Sequence, residues 1–397
     1  MREHWLCSAT FCSLLPLLLL PTVLLSFVSP TLAARQEPPD PQKWLKQWQR
    51  RALQLMQRDP PDSLPRYIAP TTLPPRSLIP NFIFQTWKSA TPAGPQHAQA
   101  VRSFSSLNSD YHFMLFDDAA ALNFMCTFHP RVAPIYQAFL PGAPKSDLWR
   151  LAVLHTFGGV YVDTDSLARI PFSSFLWGNV SIASGVDYNG ELHQWLILSS
   201  PVHPLIGSAL ALAASRAAQL YLSRQAWKPA SVIHTTGPGA FNAAILEGLG
   251  DSTCGRLLRA VMSAKRRARA GQREEHKVPA SGETAAAVAA AEALLSSPLP
   301  LPLPPCVAGS MQIYPMGLSE CVKFKADGVG GSPKGRGEMY KDAEYYHVSE
   351  RRWETLFRRS SSSDNSSRAG GECGWSEKGV RALIGADGGG WGKLDNV

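Results

Sequence analysis

The chain has 397 residues, 45% of them hydrophobic and 18% charged, with a formal net charge of +8. That is enough for two or three average domains, or for one large α/β domain with appendages. The basic residues are dispersed except for Lys265-Arg266-Arg267-Ala268-Arg269, and no zinc-finger or RNP pattern accompanies them, so no nucleic-acid partner is expected. A basic surface also suits an anionic small molecule or an anionic membrane. The seven cysteines show no C-x-x-C or zinc spacing. In an oxidising compartment Cys306 and Cys321 are the nearest candidate disulfide pair.

In chain order, residues 1–5 form a short tail with Arg2 as positive flank, and residues 6–28 are strongly apolar. That stretch is near the ~20 residues that span a bilayer. Two readings stand: a signal peptide cleaved near Thr31-Leu32-Ala33, or a retained signal anchor. The apolar length, beyond the roughly 7–15 residues of a signal-peptide core, favours the anchor. Both send the rest of the chain to the lumen. Residues 29–78 are proline-rich and read as a stem, with a helix-like segment at 44–56.

The folded domain is expected over 79–359. Phe82 to Trp87 and Tyr111 to Phe116 read as strands, and Asp117 and Asp118 as N-caps of a helix over 119–128. From Ser146 an apolar helix runs to Gly158-Gly159, followed by the strand Val160-Tyr161-Val162. This alternation predicts a doubly wound α/β domain with its ligand at the carboxyl ends of the strands. There the apolar run stops at Asp163-Thr164-Asp165. If the extension persists, residues two apart point the same way, and Asp163 and Asp165 converge on one Mg²⁺ or Mn²⁺ whose shell phosphate and water complete. Asp147 and Arg150, three apart on the preceding helix, are either a surface ion pair or a pair facing a pocket.

Beyond the acidic pair, strands are expected at 181–186 and 195–200, with Asp187 in the polar loop between them, and a packing helix at 203–221. Gly237-Pro238-Gly239 precedes a helix over 241–249 whose free amides can approach phosphate or sugar. Residues 262–305 read as a low-complexity insertion, 310–315 as a strand, and 360–397 as a disordered, serine- and glycine-rich tail. Asn179 and Asn365 fit the N-glycosylation pattern.

Ser146-Asp147-Leu148-Trp149-Arg150 followed by Gly158-Gly159-Val160-Tyr161-Val162-Asp163-Thr164-Asp165 resembles the signature of the D-x-D sugar-nucleotide glycosyltransferases of family 32. Phe82-Ile83-Phe84-Gln85-Thr86-Trp87 and Thr236-Gly237-Pro238-Gly239-Ala240-Phe241 are similar to two further segments of that family. The resemblance implies a GT-A type, Rossmann-like nucleotide-sugar-binding domain, Mn²⁺ (or Mg²⁺) dependence, retention of configuration and a Golgi membrane protein with its catalytic domain in the lumen. It places Asp163 and Asp165 on the metal, and Asp147 and Arg150 on the donor sugar and phosphates. Trp87 falls beside the nucleotide base, Gly237 and Gly239 in the pocket wall, and His347 on the diphosphate or metal. The donor is a nucleotide sugar, GDP-mannose first, with UDP-galactose or UDP-N-acetylglucosamine as alternatives. The acceptor is a glycan or glycolipid. A catalytically inactive lumenal carbohydrate-binding homologue is the competing class.

Overall fold

The computed structural model describes residues 39–263, apart from short breaks at 73–76, 140–141, 169, 175, 177–179, 187–190, 224–228, 253–254, 257 and 261, together with 301–302, 310–314, 322–323 and 381. The apolar stretch 6–28, Asn179, Asp187, most of the insertion, Cys306, Cys321, His347, Asn365 and nearly all of the tail lie outside the described residues.

The elements run α1 (Pro41–Met56), β1 (Tyr67–Ile68), β2 (Phe82–Thr86), α2 (Pro95–Leu107), β3 (His112–Phe116), α3 (Asp118–Phe128), α4 (Ala133–Ala138), α5 (Ala143–Phe157) and β4 (Gly159–Val162). There follow β5 (Leu167–Ala168), β6 (Val180–Val186), β7 (Leu192–Ser199), α6 (Pro204–Ser223), α7 (Pro229–Thr235), α8 (Pro238–Leu249), β8 (Leu301–Pro302), β9 (Ser310–Tyr314) and β10 (Val322–Lys323). One eight-stranded sheet has the order β1-β3-β2-β4-β7-β6-β9-β8, and β10 pairs with β5.

The sheet is mixed: helices lie on both faces, as expected of a doubly wound α/β domain, but the strands are not all parallel. β3, β2 and β4 are mutually parallel, as a Rossmann-like half requires, but β4 pairs antiparallel with β7, and β7 with β6. This pairing brings the start of β7 to the same sheet edge as the end of β4.

Alternation along the central strands sorts their side chains between two cores. Phe84, Met114, Phe116, Tyr161 and Ile197 join the cluster formed with α1, α3, α5, α6 and α8. Ile83, Phe113, Leu115, Val160, Val162, Leu196 and Leu198 join the cluster on the opposite face, which α2 covers with Ala98, Val101 and Phe104. Strands buried on both faces read as unbroken apolar runs, and β4 is buried at every position. α6 is long and apolar enough to cross a membrane, but its inward residues lie in the first cluster and it serves as a core helix.

The junction from α5 to β4 is possible only with glycine. Gly158 sits at φ +65° and Gly159 at φ +98°, and a Cβ on Gly158 would lie 2.6 Å from the Pro201 nitrogen, one on Gly159 2.8 Å from the Phe82 carbonyl oxygen. Asp117 caps α3 as expected, its Oδ1 accepting from the Ala120 amide at 2.9 Å. Cys126, on α3, is disulfide-bonded. It is the one cysteine among the described residues, so its partner lies outside them.

The fold takes in residues that composition assigns to the stem. β1 pairs with β3. α1 is capped by Asp40, whose Oδ1 accepts from the Gln42 amide at 2.9 Å, and it buries Leu45 and Ala52. Trp48 stacks on Phe116 with ring centroids 4.2 Å apart, and Trp44 meets Phe116, Phe124, Phe128 and Phe157 at 5.3 to 6.3 Å. The helix expected at 44–56 is present as α1, and its aromatic stripe closes the core instead of belonging to a stem. Trp44→Ala is expected to cost about 3 kcal/mol of unfolding free energy, the scale of an aromatic truncation in a packed cluster. Denaturant titration of the purified protein reads this, and an unchanged midpoint would make α1 a separable stalk.

Candidate active site

The acidic motif sits where the parallel strands end. The ladder continues one residue past β4, with the Asp163 amide donating to the Trp195 carbonyl at 2.9 Å. The chain then turns, and the Ser166 amide donates back to the Asp163 carbonyl at 3.1 Å. Extension therefore does not persist to Asp165, and strand alternation is not what relates Asp163 to Asp165. It relates Asp163 to Tyr161 instead: the Tyr161 hydroxyl donates to Asp163 Oδ1 at 2.6 Å. Burial raises the Tyr161 pKa well above the usual phenol value, so this donor stays protonated.

Arg150 organises the cluster. One terminal nitrogen lies 3.2 Å from Asp163 Oδ1 and 3.2 Å from Asp147 Oδ1. The other donates to the Gln194 carbonyl at 3.1 Å, and Nε donates to the Ser146 carbonyl at 3.3 Å. The guanidinium also lies over the Tyr161 ring, 4.7 Å from its centroid. The Asp147 and Arg150 pair is thus buried, not a surface pair, and the arginine holds two carboxylates that would otherwise repel. Breaking such a pair from one side costs about 3–5 kcal/mol because a buried charge loses its partner.

Asp147 takes a further hydrogen bond from the Thr236 hydroxyl at 2.9 Å. Its pKa is raised to about 6: burial is the main cause, Arg150 and Thr236 pull it down, and Asp163 pushes it up. The Gln194 amide donates to the Thr236 carbonyl at 3.3 Å and the Gln85 amide to the Asp163 carbonyl at 3.4 Å. The Oε1 atoms of Gln85 and Gln194, both on buried side chains, have no hydrogen-bond partner among the described residues. An unmet buried acceptor costs about 1–3 kcal/mol, which a ligand hydroxyl or an ordered water relieves.

Thr236 reaches Asp147 because the loop after α7 is held tightly. A Cβ on Gly237 would lie 3.0 Å from the Ile233 Cα, and one on Gly239 2.5 Å from the His234 Nδ1. These glycines are needed for the approach of α8 to the end of α7, a packing reason the sequence did not show. Asn242 on α8 completes the wall: its Oδ1 accepts from the Leu192 amide at 2.8 Å and its Nδ2 donates to the Leu192 carbonyl at 2.8 Å, at the start of β7.

Trp87 follows β2 on the same sheet edge, with its amide donating to the Phe116 carbonyl at 3.1 Å. Its indole Nε1 donates to the Thr91 carbonyl at 3.1 Å, and its ring lies 4.5 Å from the His97 ring. Of the residues singled out from sequence, Asp147, Arg150 and Asp163 are joined by direct contacts, Asp165 follows in the same turn, and Thr236 links the cluster to Gly237. Tyr161, Thr236, Gln194 and Gln85 were missed as members. Tyr161 stands two residues before Asp163 on one strand, a spacing that can flag it; Gln194 and Thr236 are joined by long-range pairing, which no local pattern encodes.

A divalent cation fits the donor set here. Asp163 Oδ1 is taken by Tyr161 and Arg150, and its Oδ2 accepts no hydrogen bond among the described residues, so a hard carboxylate oxygen is available beside Asp165. Among the described residues no three His, Cys, Asp or Glu side chains group as a ready-made ion cage. Bound ligand and water would have to complete the shell.

The fold and this edge define an α/β ligand-binding domain with an arginine-bridged acidic site. Residues 94–180 match the family described as a glycosyltransferase sugar-binding region containing the DXD motif. Over this segment the chain is like the glycosyltransferases of family 32. It is 34% identical over 101 residues to inositol phosphoceramide mannosyltransferase 2 of Schizosaccharomyces pombe, covering 25% of this chain and 29% of that protein. It is 31% identical over 148 residues to mannosyl phosphorylinositol ceramide synthase SUR1 of Saccharomyces cerevisiae, covering 36% of each. The chain thus spans well under half the length of these curated relatives. Among solved structures it is similar to the PaToxG glycosyltransferase, with 19% identity, a TM-score of 0.35, and coverage of 50% of this chain and 81% of that one.

The raised Asp147 pKa has a pH signature. Its stabilising contribution is full below the ordinary value of 3.8 and is lost as pH rises through about 6. The stability difference between the native protein and Asp147→Asn is expected to change by on the order of 3 kcal/mol across that window. Thr236→Val, which deletes a bond to the carboxylate, moves the upper limit to higher pH. Thermal melts from acid to neutral pH test both, and a difference flat across the window contradicts them.

Proposed function

We propose that this chain is a glycosyltransferase that moves a hexose from a nucleotide diphosphate sugar, GDP-mannose in the first instance, to a hydroxyl of a glycan or glycolipid. The observation that carries the reading is the Arg150-bridged Asp147 and Asp163 at the carboxyl edge of parallel strands, next to Asp165. The names of the similar proteins support mannose and an inositol phosphoceramide as donor sugar and acceptor class. A GT-A type domain, retention, and a Golgi membrane protein with a lumenal body belong to the same proposal. The Cys126 disulfide supports the lumen, because disulfides persist in oxidising compartments.

Each residue has a task. Asp165 and the open oxygen of Asp163 hold Mn²⁺ or Mg²⁺, which supplies neutralising charge for the departing diphosphate. Arg150 fixes Asp163 and Asp147 against each other, so both carboxylates are oriented before substrate arrives. Asp147, with Thr236 on one oxygen, accepts hydrogen bonds from donor sugar hydroxyls, and the unmet Gln194 oxygen is a further acceptor. Trp87 flanks the base, the Gly237 and Gly239 turn forms the pocket wall, and His347 contacts the diphosphate. Same-face attack of the acceptor hydroxyl on the sugar, with the diphosphate leaving and its departing oxygen taking the hydroxyl proton, needs no protein nucleophile.

The test is incubation of the purified chain with Mn²⁺ and a panel of nucleotide sugars. GDP-mannose turnover is expected, with Asp165→Asn lowering kcat/KM by at least about a thousandfold, the scale of lost transition-state charge stabilisation. A UDP-sugar preference would replace the donor assignment. Glycan binding without turnover of any donor would overturn the transferase reading in favour of a carbohydrate-binding homologue.

A further inference from the structure

The outer face of α1 is used by no part of the site. The helix PQKWLKQWQRRALQLM contains no acidic residue. At 100° per residue, Lys43, Lys46, Gln47, Arg50, Arg51, Leu53 and Gln54 fall on one continuous arc, and all are exposed. Leu45, Ala52, Trp44 and Trp48 fall on the opposite arc and pack into the core. Among the described residues no salt bridge reaches these cations. Asp40 is engaged at the helix N-terminus and Asp59 pairs with Arg66 at 2.6 Å. With its aromatic stripe packed into the core, α1 presents to solvent a row of cations that can meet an anionic surface through electrostatics alone.

Two observations commit the occupant. Only residues 29–40 separate α1 from the apolar stretch 6–28, a tether of at most about 40 Å even fully extended, so on the retained-anchor reading, on which this inference rests, a lipid surface is within reach of the helix. The inner face also leads to the site through successive ring contacts: Trp48 to Phe116 at 4.2 Å, Phe116 to Trp149 at 5.0 Å and Trp149 to Tyr161 at 6.2 Å. Two rings, Phe116 and Trp149, therefore stand between Trp48 of the basic helix and Tyr161, the side chain that holds Asp163.

We infer that the Lys43, Lys46, Arg50 and Arg51 face of α1 docks on an anionic, phosphate-bearing lipid surface and holds the candidate site beside it. Cations near such a surface gain most within a Debye length, so docking is sensitive to salt and to anionic lipid content.

The full chain is reconstituted in vesicles of phosphatidylcholine alone or with about 30 mol% phosphatidylinositol. Acylation of Lys43 and Lys46 by a water-soluble reagent is then measured by mass spectrometry. Labelling of both lysines is expected to fall at least about threefold with the anionic lipid, and to recover in about 0.5 M salt. Arg50→Glu with Arg51→Glu, which leaves the packed face of α1 untouched, is expected to restore labelling. Equal labelling in the two lipid compositions overturns the inference, as does protection that persists in the charge-reversed protein. The readout needs no turnover, so its failure is separate from failure of the transferase reading.

Discussion

A single guanidinium holds this site together. Asp147 arrives on a helix, Asp163 at a strand end, and Gln194 at the start of an antiparallel neighbour, and Arg150 touches all of them. Without it, two carboxylates would face each other in a buried setting, where like charges are poorly screened. The fold meets the desolvation cost of Arg150 with backbone carbonyls, carboxylates and the Tyr161 ring. The result is a cluster already arranged before any ligand enters, which is what electrostatic catalysis requires.

The rest of the architecture serves this arrangement. Gly158 and Gly159 let α5 turn straight into β4, so that Asp147, Arg150 and Asp163, close in sequence, return to one another in space. The switch from parallel to antiparallel pairing at β4 brings the start of β7 beside the acidic turn. Burial then sets the chemistry of each member, lifting Asp147 toward neutrality and keeping Tyr161 a proton donor.

Much of this was legible in the sequence, and the reasons are local. The apolar periodicity of α5, its glycine stop and the β-branched strand behind it gave the central helix and strand, and Asp117 announced its own cap. What stayed hidden depends on long-range pairing. Neither the direction of β7 nor the hydroxyl of Thr236 reaching Asp147 follows from any window of residues. The helix of α1 was legible, but its packing was not: neighbouring prolines placed it in the stem, because the burial of Trp44, Leu45, Trp48 and Ala52 depends on rings from α3, α5 and β3. The expected convergence of Asp163 and Asp165 assumed continued extension, whereas the backbone turns immediately after the last ladder bond.

The Asn242 clamp on Leu192 has a mechanical corollary. One amide side chain satisfies both backbone groups of a strand residue, so α8 cannot slip along β7 without forfeiting two hydrogen bonds at once. The wall bearing Thr236 and the strand bearing Gln194 are therefore tied to each other through the Leu192 backbone.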